Sequence, residues 1–169
     1  MPGTVSQSRS SGESLIATFE LGTTGVFGID ATLIQEVAMV GGTTRVHHAA
    51  CYVEGIRNLR GKIITVIDLS QRLGSGKAQR SAESRILIVD CNGEPVGLLV
   101  DRVADAISLE ACELEPAPSN MPGAQLAAIQ GVFRKGDRLV ALLDMLRLLS
   151  IDLCTGRAAM NEESKVGQA

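Results

Sequence analysis

Between residues 14 and 154 the apolar residues fall in short runs rich in Val, Ile and Leu, each closed off by Gly, Asn, Asp or Pro. Runs of this length and composition are strands separated by turns. The clearest case is Arg85 to Asp101, where RILIVD and PVGLLVD flank Asn92 and Gly93. That pair tolerates the positive φ values of a tight hairpin turn. Three more hairpins are expected on the same grounds. Leu15 to Leu21 faces Val26 to Asp30 across Gly22, Thr23, Thr24 and Gly25, and Ile56 to Arg60 faces Ile63 to Ile67. Gly131 to Arg134 faces Leu139 to Leu143 across Lys135, Gly136 and Asp137.

Helical spacing is brief. Leu33, Ile34 and Val37 can share one face of a helix, and Leu142, Met145, Leu146, Leu149 and Leu153 form a longer stripe behind Asp144, a suitable N-cap. The chain also repeats itself. A shift of 76 positions lays Gly55 on Gly131, Ile56 on Val132, Lys62 on Arg138 and Asp68 on Asp144. A shift of 70 sets Ile16 to Ile29 against Ile86 to Leu99. Two related β-rich halves follow. Each is expected to curl into a small barrel or half-barrel, because open sheets leave unpaired edges.

Composition narrows the function. With 45% hydrophobic residues the chain suits one domain, or two small subdomains sharing a core. Residues 1–13 and 155–169 are polar and are expected to be mobile. A net charge of −3, with one Tyr, three Phe and no Trp, lacks the basic field and stacking platforms of nucleic-acid binders. The N-terminus has no signal-like apolar stretch and no segment is long enough to insert in a membrane, so a cytoplasmic protein is expected.

Motifs that would carry chemistry are incomplete in this chain. Gly76-Lys77 resembles the end of a phosphate loop, but Gln71 stands where its first glycine belongs and Ala78 replaces the Ser or Thr. Around Ser75, Leu73 and Lys77 occupy the glycine positions of a nucleophile elbow. His47 and His48 are adjacent, so in an extended segment they point apart and cannot grip one metal. The four cysteines, Cys51, Cys91, Cys112 and Cys154, form no C-x-x-C pair and read as free buried thiols. Asp30, Glu36, Asp68, Asp90, Asp101, Asp105 and Asp144 stand mainly at the ends of apolar runs, where capping and turns account for them. No catalytic residue, cofactor or metal is expected.

One run remains, Tyr52-Val53-Glu54-Gly55-Ile56-Arg57-Asn58-Leu59-Arg60-Gly61 followed by the apolar KIITVI and Asp68-Leu69. It resembles the signature of CheW-type chemotaxis coupling proteins: an aromatic, a hydrophobic residue and Gly leading to N-L-R-G, an apolar strand and Asp-Leu. FELGTTGVFGIDATLIQEV at Phe19 to Val37, VGLLVDRVADAI at Val96 to Ile107 and EPAPSNMPG at Glu115 to Gly123 fall in family order, so the likeness spans about 15–150. One departure is His48-Ala49-Ala50-Cys51-Tyr52, where the family usually carries Pro before the aromatic.

The resemblance implies a mostly β fold of two SH3-like five-stranded barrels sharing a hydrophobic core, with short helices and a C-terminal helix. Subdomains are expected at 14–82 and 83–154. It also implies a non-enzymatic adaptor that binds the regulatory domain of a CheA-type histidine kinase and the cytoplasmic tip of chemoreceptors, in clusters at the inner face of the membrane. Other outlets are a chemosensory pathway other than swimming, or an SH3-like module for peptides or small molecules. By motif, the partner-binding residues are Ile34, Glu36, Gly55 and Arg60. Ile34 equally suits the core, Glu36 a solvated helix, Gly55 a backbone bend and Arg60 an internal bridge to Glu36.

Overall fold

The structure, a computed structural model, describes residues 13–22, 25–110 and 113–149. Residues 1–12 and 155–169, and with them most of the expected mobile ends, lie outside the described residues, as do Thr23, Thr24, Cys112, Leu153 and Cys154. Glu13 already belongs to the first strand.

The hairpins form where turn residues allow them. β6 (Arg85–Cys91) and β7 (Glu94–Val100) join through Asn92 and Gly93, with φ of 52° and 86°. β4 (Val53–Leu59) and β5 (Lys62–Asp68) join through Arg60 and Gly61, with φ of 52° and 82°. Positive φ at both central residues gives the turn the twist of its strands. A side chain braces each turn: Asp90 Oδ1 accepts from Gly93 N at 2.9 Å, and Asn58 Oδ1 accepts from Gly61 N at 3.0 Å. β1 (Glu13–Leu21) pairs with β2 (Gly25–Asp30), and β9 (Ile129–Lys135) with β10 (Arg138–Leu143).

Two strands complete the set, β3 (Ile34–Met39) and β8 (Arg102–Glu110). The expected helical face of Leu33, Ile34 and Val37 is not there. Asp30 caps a single 3₁₀ turn over Ala31–Leu33, and Ile34 then starts a strand that pairs with β6. Pairing won over local spacing, since a run this short fits either period.

The ten strands of the described residues make two five-stranded sheets, in the orders β8-β1-β2-β10-β9 and β3-β6-β7-β5-β4. The sheets interleave the two halves of the chain: β1–β5 and β6–β10 correspond, but each repeat gives its first hairpin to one sheet and its last three strands to the other. The seams are the parallel pairs β2/β10 and β5/β7.

The repetition extends to single bonds. Thr44 bridges Ile56 in the first half and Glu115 bridges Val132 in the second. Asp68 Oδ1 caps α1 (Leu69–Arg72) through Gln71 N at 3.2 Å, and Asp144 Oδ1 caps the helix at 145–149 through Arg147 N at 3.2 Å.

Three apolar clusters follow from this arrangement. Ala38, Ile64, Val66, Ile86, Ile88 and Leu99 fill the second sheet, while Ile16, Leu109, Phe133, Val140 and Leu142 fill the first. Between the sheets lies the largest cluster, which takes Phe19, Phe27 and Ile29 from one side and Leu87, Val89 and Leu98 from the other. The centre of this strand, ILIV at 86–89, is apolar throughout because Ile86 and Ile88 enter one core and Leu87 and Val89 the other.

Each sheet curls until its outermost strands approach, and side chains span the gap. Arg57 Nη1 donates to Met39 O at 2.7 Å and Arg60 Nη2 to Glu36 Oε1 at 3.1 Å, joining the β4 hairpin to β3. In the first sheet Lys135 Nζ reaches Asp105 Oδ2 at 3.1 Å, joining β9 to β8. The described strands thus form two curled five-stranded sheets whose outer strands are linked by side chains and not by a backbone ladder.

Candidate functional site

The β4–β5 hairpin and β3 bring two of the four expected residues together. Arg60 sits at the first turn position in the left-handed region, a strained conformation for a residue with a Cβ. Its side chain is 79% exposed and rests one nitrogen on the Glu36 carboxylate, which is 31% exposed. An ion pair this open contributes no more than ~1 kcal/mol, so its effect is to orient the guanidinium rather than to stabilise the fold. The rest of the guanidinium is open to solvent, and its fork of donors suits a carboxylate or the carbonyls ending a helix.

Ile34 and Gly55 have other surroundings. Ile34 is half-buried and packs against the core between the sheets, two positions before Glu36 across a β-bulge. Gly55 is buried, with φ of 152°, and a Cβ there would lie 2.5 Å from the carbonyl oxygen of Thr44. Its missing side chain lets the chain at 43–44 cross close over β4, the bend that the sequence reading gave as one alternative. Glu36 lies on a strand, not on a solvated helix.

Residues missed from sequence adjoin this corner. Val37 and Met39 on β3 are 48% and 67% exposed, and Ile63 on β5 is 69% exposed. Reading β3 with a period of two would have placed Val37 and Met39 outward on either side of buried Ala38. In the other sheet, Asp105 and Lys135 were read only as a run end and a turn residue; their ion pair joins strands distant in the chain, and no local pattern marks it.

The cysteines differ from expectation. Cys51 is exposed and Cys91 half-buried, and both are free. Burial pushes the Cys91 thiol above its ordinary value, and the carboxylates of Asp90 and Glu94 push it further. Among the described residues no group of three or more His, Cys, Asp or Glu side chains could hold a metal ion. No helix among them is long and apolar enough to cross a membrane.

The CheW-like domain matches this chain over residues 16–152. The chain belongs to the CheW-like domain family. Among its relatives, the chemotaxis protein CheW of Klebsiella aerogenes is 29% identical over 152 residues, covering 89% of this chain and 92% of that protein. The CheW of Treponema pallidum is 30% identical over 139 residues, covering 80% and 81%. The crystal structure of the scaffolding protein TtCheW from Thermoanaerobacter tengcongensis superposes with a TM-score of 0.73 at 32% identity, covering 83% of this chain and 90% of that one. Two five-stranded sheets around a shared core are thus the CheW-like architecture, and the mostly β expectation holds.

Proposed function

We propose that this CheW-like chain is a non-enzymatic cytoplasmic adaptor that couples chemoreceptors to a CheA-type histidine kinase, with Arg60 as its principal partner-binding residue and Glu36 as the group that aims it. Family membership supports the adaptor role. The observation that carries the site is an exposed guanidinium held at a strained turn by a single weak ion pair. The kinase regulatory domain and the receptor tip are the partners, and the signal passes as a difference in their affinities for two arrangements of the complex.

The test is calorimetric titration against the kinase regulatory domain and, separately, a receptor tip. Arg60→Gly removes the fork and suits the local φ, so it should fold at least as well as the parent. It should bind about ten- to a hundredfold more weakly to at least one partner, the range expected on losing charge-assisted hydrogen bonds. Exchanging the pair in Glu36→Arg/Arg60→Glu restores the internal bridge but not a partner contact. Recovery of full affinity in that double variant would reduce the pair to a barrel closure and remove Arg60 from the interface.

A further inference from the structure

A cavity of about 260 Å³ opens between the loop leading into β4 and the turn after α1, with Arg45, Cys51, Glu54, Gln71 and Lys77 in its wall. Two of these, Arg45 and Lys77, are cations. Glu54 is already neutralised by its ion pair with Arg80, and among the described residues neither Arg45 nor Lys77 has a hydrogen-bond or ion-pair partner.

Both cations stand on anchored backbone. Next to Arg45, Thr44 N donates to Ile56 O at 2.8 Å and Ile56 N returns a bond to Thr44 O at 2.8 Å. Lys77 lies in a turn pinned at three points. Ser75 N donates to Ser70 O at 2.9 Å, Gln125 Nε2 to Ser75 Oγ at 3.3 Å, and Ala78 N to Oδ2 of the fully buried Asp68 at 2.9 Å. An oxyanion seated between two such cations would gain a charge-assisted hydrogen bond from each.

We infer that this cavity is a binding site for a doubly charged, phosphate-type oxyanion, taken between Arg45 and Lys77 with the Gln71 carboxamide as a neutral donor. It lies apart from the Glu36–Arg60 corner in role and does not depend on it.

The experiment is a nuclear magnetic resonance titration of the ¹⁵N-labelled full chain with inorganic phosphate at constant pH, against acetate and chloride at matched ionic strength. Saturable shifts confined to amides of residues 44–54 and 70–78 are expected, with acetate at least about tenfold weaker because it meets both cations with one charge. Arg45→Ala and Lys77→Ala, both at exposed positions, should each weaken phosphate binding by about tenfold with the remaining spectrum unchanged. A linear response, equal responses to phosphate and acetate, or a phosphate affinity indifferent to both substitutions would overturn the assignment.

Discussion

Gly55 carries more of the fold than its lack of a side chain suggests. A methyl group there would press on the Thr44 carbonyl at 2.5 Å while the backbone stays at a φ that L-residues rarely adopt. Gly55→Ala is therefore expected to destabilise the protein by ~2–4 kcal/mol, read from the midpoint of urea unfolding with an unchanged slope. A loss of partner binding in this variant that tracks its unfolded fraction would fit a bend; lost binding by a fully folded variant would restore Gly55 to the interface. Cys91 offers a second residue-level test. Because only the thiolate attacks an alkylating agent, a thiol held protonated and half-covered reacts slowly. At pH 8 iodoacetamide should modify Cys51 well before Cys91, with peptide mass mapping as the readout, and the Cys91 rate should still be climbing above pH 9.

Among the elements, the two Asp-capped helices invite a paired comparison. Asp144 serves its helix at a half-exposed position, and Asp144→Ala should cost about 1 kcal/mol, the usual effect of losing an N-cap. Asp68 caps α1 and also receives Ala78 N, with no exposure to water. Asp68→Ala leaves that amide unsatisfied and should cost about 2–4 kcal/mol, so thermal unfolding should separate the two variants clearly. What the sequence made legible at this scale was local. Asn92-Gly93 and the two caps are specified by residues adjacent in the chain and stand where they were expected, whereas the turn at Arg60-Gly61 takes in Arg60, which the reading had left in the strand. β3 was misread because Leu33, Ile34 and Val37 match a helical face in a run too short to settle the period, and its strand form depends on β6, some 50 residues away. The Glu36–Arg60 pair was foreseen as one alternative for Arg60, whereas the burial of Gly55 beneath Thr44 came from a long-range crossing that no local pattern records.

For the whole molecule, the duplication was visible in sequence but its assembly was not, since the seams β2/β10 and β5/β7 join segments whose own sequences carry no mark of each other. The exchange makes the halves interdependent. Fragments 1–82 and 83–169, expressed separately, each hold strands for both sheets but enough for neither. Each alone should lack dispersed amide resonances and a cooperative melt, and mixing them should recover both, as a noncovalent pair. A fragment that folds by itself would show that one half closes a sheet alone, against the strand order seen here.

The parallel seam also sets a schedule for the chain as it leaves the ribosome. β2 is finished by Asp30, but the strand that covers its free edge, through Val26, Phe27 and Gly28, is not made until Val140 to Leu142. At ~5–20 residues per second, the first hairpin waits on the order of ten seconds with the β2 edge unpaired. Over that interval the nascent protein should engage chaperones, and messages truncated before residue 140 should yield unfolded product rather than a working half.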